Sequence, residues 1–415
     1  MVRHIEDYVG VDEALKEVRE RIHWKNEAQV LLARKSYGRV TASEIVAPSD
    51  VPKLASSHMD GFAVIARDLQ NASNLHPTTL KLKGEIRLGS TSTLEVKHGE
   101  TVRVATGAFV PTGADTVIPS ELVREKAGKL VVSFTPALGS HVYNRGEDVK
   151  RGQRILDKGH TIRAQDIGLL IRLGIPRIRA FVKPTVAILA TGSELTRDSK
   201  HKAGKVIDSH TPVFLGMLRA LGCVQVDMGL TKDSSKEIAK VIREALTKSD
   251  FVLTLGGTSA GKHDLAGDAI SRLRPGVIFH GIRMDRGRVT GIAVVNNKPV
   301  LMMPGPIQGA MNAFILFAIP IIRSLSGRED LGMEVNCRLG DDWNSRKSFP
   351  NFTKVVYVTL REEEETVADP ILGETESITV LSRANGYVVV PENVTQMDKG
   401  TRVKVALLPG FSFAS

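Results

Sequence analysis

The sequence predicts a multidomain protein of the α/β plus β class, and three observations carry that reading. From Lys183 to about residue 326, apolar strand-like runs alternate with amphipathic helical ones, the pattern of a parallel sheet. Ahead of that region, residues 49–141 hold short runs of alternating polarity punctuated by Gly, Pro and Thr, as in a β domain. Behind it, from about residue 327, "KVVYVTL", "SITVLS", "YVVVP" and "RVKVALL" read as strands of a small β-barrel-like domain over 327–415, with no helix signal. At 415 residues the chain exceeds what one ordinary core supports, so separate domains are expected.

The elements follow in order. "VDEALKEVRERIH" places Ala14, Val18 and Ile22 on one face at four-residue spacing, a helix. Residues 1–48 are expected to form a helical or mixed linker domain with residues 142–182, where "AQDIGLLIRLGI" returns to helical period. "TLKLKGEIRL" and "TVRVAT" are strands of the inserted β domain, and "SSHMDGFAV" reads as a linker turn before it. In 183–326, "TVAILATG" is an unbroken apolar strand ending in a Gly turn, as expected of a strand buried on both faces. "HTPVFLGMLRALG" is a helix with Thr211 as N-cap, Pro212 at its first position and Gly222 as its stop. "SSKEIAKVIREAL" opens with a capping box, Ser234 to Glu237. "VQVDMGL", "DFVLTLGG" and "KPVLMMPG" are further strands, and a long buried helix runs from Gln308.

Composition narrows the function. Two cysteines, Cys223 and Cys337, exclude a disulfide framework and imply a reducing cytoplasm. The charged, helical N-terminus lacks a signal-peptide core, and no membrane span is expected. A net charge of +10 favours an anionic partner. With 5% aromatics and no Arg/aromatic interleaving, nucleic acid is not that partner. A small anion is.

"GGTSAGKHD" (256–264) has the spacing of a phosphate-binding P-loop, but His263 stands where a magnesium-binding hydroxyl belongs. It reads either as a structural Gly turn or as an anion or metal site built from glycine N–H groups, Ser259, Lys262 and Asp264. "ATGSEL" adds Thr191, Ser193 and Glu194 at another strand end, and "VIDS" adds Asp208 and Ser209 at a helix start. Ligands of a parallel sheet sit at such ends. No pair of histidines has zinc-ligand spacing.

Taken in order, "SSHMDGFAV", "TGAFVPTGADTVIP", "NRGEDVKRG", "VAILATGSEL", "VIDS", "GGTSAGKHD", "HGI" and "MMPG" resemble the molybdopterin molybdenumtransferases, the MoeA family, whose relatives include the C-terminal domain of gephyrin. The resemblance implies an elongated homodimer with a MogA-like α/β domain and sites at domain junctions. It implies insertion of molybdate (or tungstate) into the dithiolene of adenylated molybdopterin, with release of AMP and help from Mg²⁺ or another divalent cation. A MogA/MoaB-like adenylyltransferase is the implied partner. Carried onto this chain, Asp60, Thr106, Asp148, Glu194 and Asp264 line the catalytic site, with Glu194 and Asp264 on the cation. Gly192, Ser193, Asp208, Ser209, Asp233, Gly256, Gly257, Ser259, Gly261, Arg286, Arg288, Pro304 and Gly305 bind substrate. On this reading Asp264→Ala abolishes AMP release and leaves the melting temperature nearly unchanged.

The family's "KPGKP" loop is here Asp285–Val289, which keeps Arg286 and Arg288, and its "PGNP" is Pro304–Ile307 without the Asn. His210 replaces an Asn, Tyr357 an Arg, and Glu376–Ser377 a Gly–Ser pair. These changes motivate the alternative of a non-catalytic pterin-binding or scaffold paralogue with a remodelled anion site.

Overall fold

The computed structural model of the chain describes residues 8–22, 27–90, 93–198, 203–259, 264–328, 332–345, 349 and 351–410. Its centre is a six-stranded sheet in the order Val224–Thr231, Thr185–Thr191, Phe251–Leu255, Lys298–Met303, Gly291–Val295, Val277–His280. The first four strands are parallel, and Gly291–Val295 is antiparallel to both its neighbours, Lys298–Met303 and Val277–His280. Strand Thr185–Thr191 is buried on both faces because helix His210–Ala220 covers one side through Phe214 and Leu218. Helix Ser235–Lys248 covers the other through Ile238 and Ile242. The chain therefore winds to opposite faces from this strand, and its carboxyl end is the switch point where ligands of such sheets bind.

The long apolar helix runs from Ile307 through Leu325, with π geometry over Phe314–Ala318. Pro320 has no N–H to give to the preceding turn, and a wider turn absorbs that gap. By length and composition this helix would pass for a membrane span. Here Phe314, Phe317 and Ile321 are fully buried in the sheet's core.

The inserted β domain is a second six-stranded sheet, in the order Thr116–Pro119, Gly61–Val64, Glu100–Val104, Thr78–Ile86, Lys129–Val132, Arg124–Lys126. Phe62 and Val64 face one core and Ala63 the other, the period of a strand. "SSHMDGFAV" is thus no linker. Its second half is an inner strand, and the Asp-Gly step puts Asp60 at the strand's entrance.

Residues flanking this insertion fold together. Strand Ala28–Leu32 pairs antiparallel with Arg177–Phe181, and Ile45–Val46 with Arg154–Leu156, around Ala33, Leu156, Ile162 and Leu170. Helix Ala164–Arg172 is anchored there by Asp166. This carboxylate accepts from Arg163 N–H and both ends of its guanidinium, and lies 2.8 Å from His160 Nε2. Burial alone would raise its pKa, but these bonds outweigh burial and hold it well below the usual carboxylate range. A depressed pKa adds stability that is present at neutral pH and lost as pH falls below about 4 toward the folded value. Asp166→Asn is expected to lower unfolding stability by about 2 kcal/mol at pH 7. In urea titrations the difference from wild type shrinks with acidification, and a constant difference would contradict this account.

Three expectations are corrected. Helix Val11–Arg21 does not join the linker domain; Val11, Ala14, Leu15 and Val18 pack into the core of the central sheet. Amphipathicity specified a buried face but not the partner. The helix at 210–220 is capped by Asp208 rather than Thr211: Asp208 Oδ1 accepts Thr211 N–H at 3.1 Å. "SITVLS" contributes helix Ile378–Arg383, not a strand. Its β-branched residues read as strand, but Val380 packs into the core beside the long helix, and Gly373 admits it closely: a Cβ there would lie 2.4 Å from Val380 Cγ2. The C-terminal barrel closes without this segment, in the order Glu334–Leu339, Thr366–Pro370, Lys354–Glu362, Gly386–Val390, Arg402–Leu407.

Candidate active site

Three strand ends of the central sheet meet at the switch point. Gly256 and Gly257 have φ of +81° and +70°, and a Cβ on Gly257 would lie 2.7 Å from Thr191 Oγ1. Glycine is required there because the acidic loop passes close over the end of Thr185–Thr191. The next turn is tied to its neighbour by a reciprocal pair: Ser193 N–H donates to Asp233 Oδ2 at 2.8 Å, and Asp233 N–H to Ser193 Oγ at 3.1 Å. Glu194 is exposed and folds over Gly192, where a Cβ would lie 2.7 Å from its Oε1. Gly256 N–H bonds Met303 O, which brings Pro304–Gly305 to the same edge. Gly261, Lys262 and His263 lie outside the described residues.

Asp264 opens helix Leu265–Ser271. Its Oδ1 accepts Gly267 N–H at 3.2 Å, and its Oδ2 lies 2.9 Å from Nδ1 of buried His280. It is therefore a cap as well as a candidate ligand. Among the described residues no three His, Cys, Asp or Glu side chains converge on one metal position. Each Asp264 oxygen keeps a second lone-pair direction, and Glu194 is exposed. That fits a cation such as Mg²⁺ held by one or two carboxylates and completed by substrate phosphate, not an all-protein cage.

Asp208 is corrected as a substrate residue. Its buried carboxylate is taken by Thr211 N–H and by Arg197 Nε at 3.1 Å, and Arg197 also grips Asp227 through both terminal nitrogens. It fixes the loop rather than facing solvent. Ser209, exposed beside it, holds the N-cap position of the helix without a side-chain cap bond.

The β domain presents Asp60 and Thr106 as one unit. Asp60 Oδ1 accepts the Thr106 N–H at 2.6 Å and its hydroxyl at 2.9 Å. The N–H first, then the hydroxyl, holds the exposed Asp60 carboxyl below its ordinary pKa. Asp148 is exposed, and among the described residues no side-chain contact joins it to Asp60 or to the strand-end loops.

The basic loop lines, together with Pro304, a cavity of about 1020 Å³ between the central sheet and the barrel. Arg286, Arg288 and Pro304 line it from one side, and Trp343, Phe349, Lys354, Tyr357 and Thr375 from the other. Arg286, at φ +48°, donates through Nη1 to Gln308 Oε1, and Gln308 Nε2 donates to Glu374 O at 2.6 Å. Asn312 Nδ2 donates to the carbonyls of Asp285 and Arg286, and Asn312 Oδ1 accepts the Tyr357 hydroxyl at 2.6 Å. Burial pushes the Tyr357 phenol well above its usual pKa, so it stays a neutral donor. Arg288 stacks on Phe349, 4.6 Å from the ring centre.

Family models match nearly the whole chain in order: the MoeA N-terminal region (domain I and II) over residues 9–174, the probable molybdopterin binding domain over 187–324, and the MoeA C-terminal region (domain IV) over 336–408. This chain belongs to the MoeA family. A molybdopterin molybdenumtransferase of Staphylococcus epidermidis is 27% identical over 98% of this chain and 97% of its own. A putative molybdopterin biosynthesis protein of Methanocaldococcus jannaschii is 29% identical over 90% of each chain. The crystal structure of the molybdopterin biosynthesis moeA protein from Pyrococcus horikoshii OT3 superposes with a TM-score of 0.83 at 26% identity, covering 97% of this chain and all of that one.

Against the MoeA pattern, the residues that depart from the motifs are structurally coherent. His210 hydrogen-bonds the backbone of Gly305, and burial lowers its pKa against the opposing charges of Asp208 and Glu376. His210 and Glu376, two departures from the motifs, thus act at one place beside the retained Gly305. Lys354, Gln308 and Asn312 were given no role from sequence, and His280 entered only as the first residue of the "HGI" motif. Lys354 had a signal: it shares strand phase with buried Val356 and Val358, so a lysine stands on an inward face. It donates to the carbonyls of Glu392 and Val394, and burial lowers its pKa. The others sit on apolar segments where periodicity shows only burial.

Proposed function

We infer that this chain is a molybdopterin molybdenumtransferase of molybdenum-cofactor biosynthesis. The observation that carries this is the ordered match of all three MoeA regions, together with acidic and hydroxylic turns gathered at one switch point. The substrates on this reading are adenylated molybdopterin and molybdate (or tungstate), and the product beside the loaded cofactor is AMP. The N–H groups of the strand-end turns and the Ser193 and Ser259 hydroxyls receive phosphate oxygens. Arg288 and Lys354 give the cavity beside the barrel its positive charge, and Gln308 holds Arg286 in place behind it. Glu194 and Asp264 would hold a divalent cation, which when bound neutralises phosphate charge. Asp60, anchored by Thr106, and Asp148 reach the cleft of the same chain or of a second copy in a homodimer. A MogA/MoaB-like adenylyltransferase supplies the substrate.

The test is molybdate-dependent AMP release from adenylated molybdopterin, with and without Mg²⁺. Binding of the pterin without AMP release, for both molybdate and tungstate, would overturn the reading. Asp60→Ala and Thr106→Val are expected to slow release by about 100-fold with little change in melting temperature, because the pair is exposed. Equal losses in the two variants, measured as kcat, would show that Thr106 acts through Asp60.

A further inference from the structure

Buried His280 faces two oxygen acceptors with its two ring nitrogens. Nδ1 lies 2.9 Å from Asp264 Oδ2, and Nε2 lies 3.2 Å from Val289 O. Asp264 begins the helix after the acidic loop, and Val289 ends the basic loop, so one ring spans the two halves of the site. Little space allows the ring or the carboxylate to move. A Cβ on Gly291 would come within 3.1 Å of His280 Cδ2, and one on Gly267 within 2.0 Å of Asp264 Oδ2. The carboxylate is boxed between Gly267 and the imidazole, with Oδ1 on the Gly267 N–H. The loop at the other end of the ring is fixed as well. Ile282 N–H bonds Arg288 O, Arg283 N–H bonds Val9 O, and Asp285 N–H bonds Thr353 O.

We propose that His280 is a positioning residue for the transferase reaction: it aims the Asp264 carboxylate and, through Val289, sets the basic loop at a fixed distance from it. A buried side chain needed only for packing could be apolar. An imidazole with an acceptor at each nitrogen instead supplies direction, as residues behind reacting carboxylates do. The proposal rests on the transferase reading, and its test separates the two.

The test compares wild type, His280→Asn, His280→Leu, Asp264→Asn and the double variant His280→Leu/Asp264→Asn. AMP release gives kcat and the molybdate KM, and thermal unfolding gives the midpoint. His280→Leu is expected to lower kcat by about 100-fold, with KM changed less than about threefold. His280→Asn, which keeps a donor near the position of Nδ1, is expected to recover kcat to within about tenfold of wild type. The double variant is expected to be no slower than Asp264→Asn alone, because His280 acts through that carboxylate. If His280→Asn is as slow as His280→Leu, or the two losses multiply in the double variant, the proposal is overturned. If wild type releases no AMP, the transferase reading falls and the unfolding midpoints decide the pair. Shifts of the two single substitutions that differ from that of the double by more than about 3 °C support the His280–Asp264 coupling, and additive shifts overturn it.

Discussion

Asp264→Ala is expected to reduce AMP release by at least about 100-fold and, at the same time, to destabilise the protein by about 2–4 kcal/mol. The second half departs from what sequence alone suggests for a surface ligand. Removing the carboxylate deletes the cap on Leu265–Ser271, a loss of about 1 kcal/mol. It also leaves the buried Nδ1 of His280 without its acceptor, a further cost of about 1–3 kcal/mol. Asp264→Asn separates the two roles. Its amide oxygen still caps the helix, so stability falls less, while the negative charge needed beside a cation is gone. Urea unfolding and AMP release on both variants check this. Full activity in Asp264→Asn would remove Asp264 from the cation site and leave it as a cap.

Gln308→Ala is the second large effect. The residue is completely buried and connects the basic loop to the segment at 374–377. Truncation leaves an Arg286 guanidinium nitrogen without its acceptor and removes one of two donors from the Glu374 and Ser377 carbonyls, which keep their backbone N–H partners, at an expected cost of about 1–3 kcal/mol. It also frees Arg286 from its fixed orientation at the cavity. The molybdate KM is expected to rise by about tenfold while kcat changes less, because the lost positioning concerns anion binding. A fall in stability with an unchanged KM would show that Arg286 serves only as a structural tie.

These two residues mark the limit of what sequence exposes. Asp264 was legible as a strand-end carboxylate in a Gly-rich turn. Gln308 was not, since a glutamine at the start of an apolar helix gives no sign of what it faces. Asp208 shows the converse. It was legible as an acidic residue at a helix start, and its burial against Arg197 assigns it to holding the loop. The cavity beside the barrel escaped sequence reading for the same reason as Gln308: its walls come from residues 284–312 and 342–375, which only folding brings together.

What the sequence determined by itself is what local pattern controls. Continuous apolar runs specify strands buried on both faces, Ser234 caps its helix, and Gly256 and Gly257 mark a turn at a strand end. The order of the family motifs fixed the domain sequence. Tertiary structure decided the pairings. It placed helix Val11–Arg21 on the central sheet, made a helix of Ile378–Arg383 despite its β-branched residues, and set His280 between Asp264 and Val289. Periodicity records which face of a segment is buried, but the partner of that face is chosen by contacts between residues far apart in the chain, and these the local pattern does not encode.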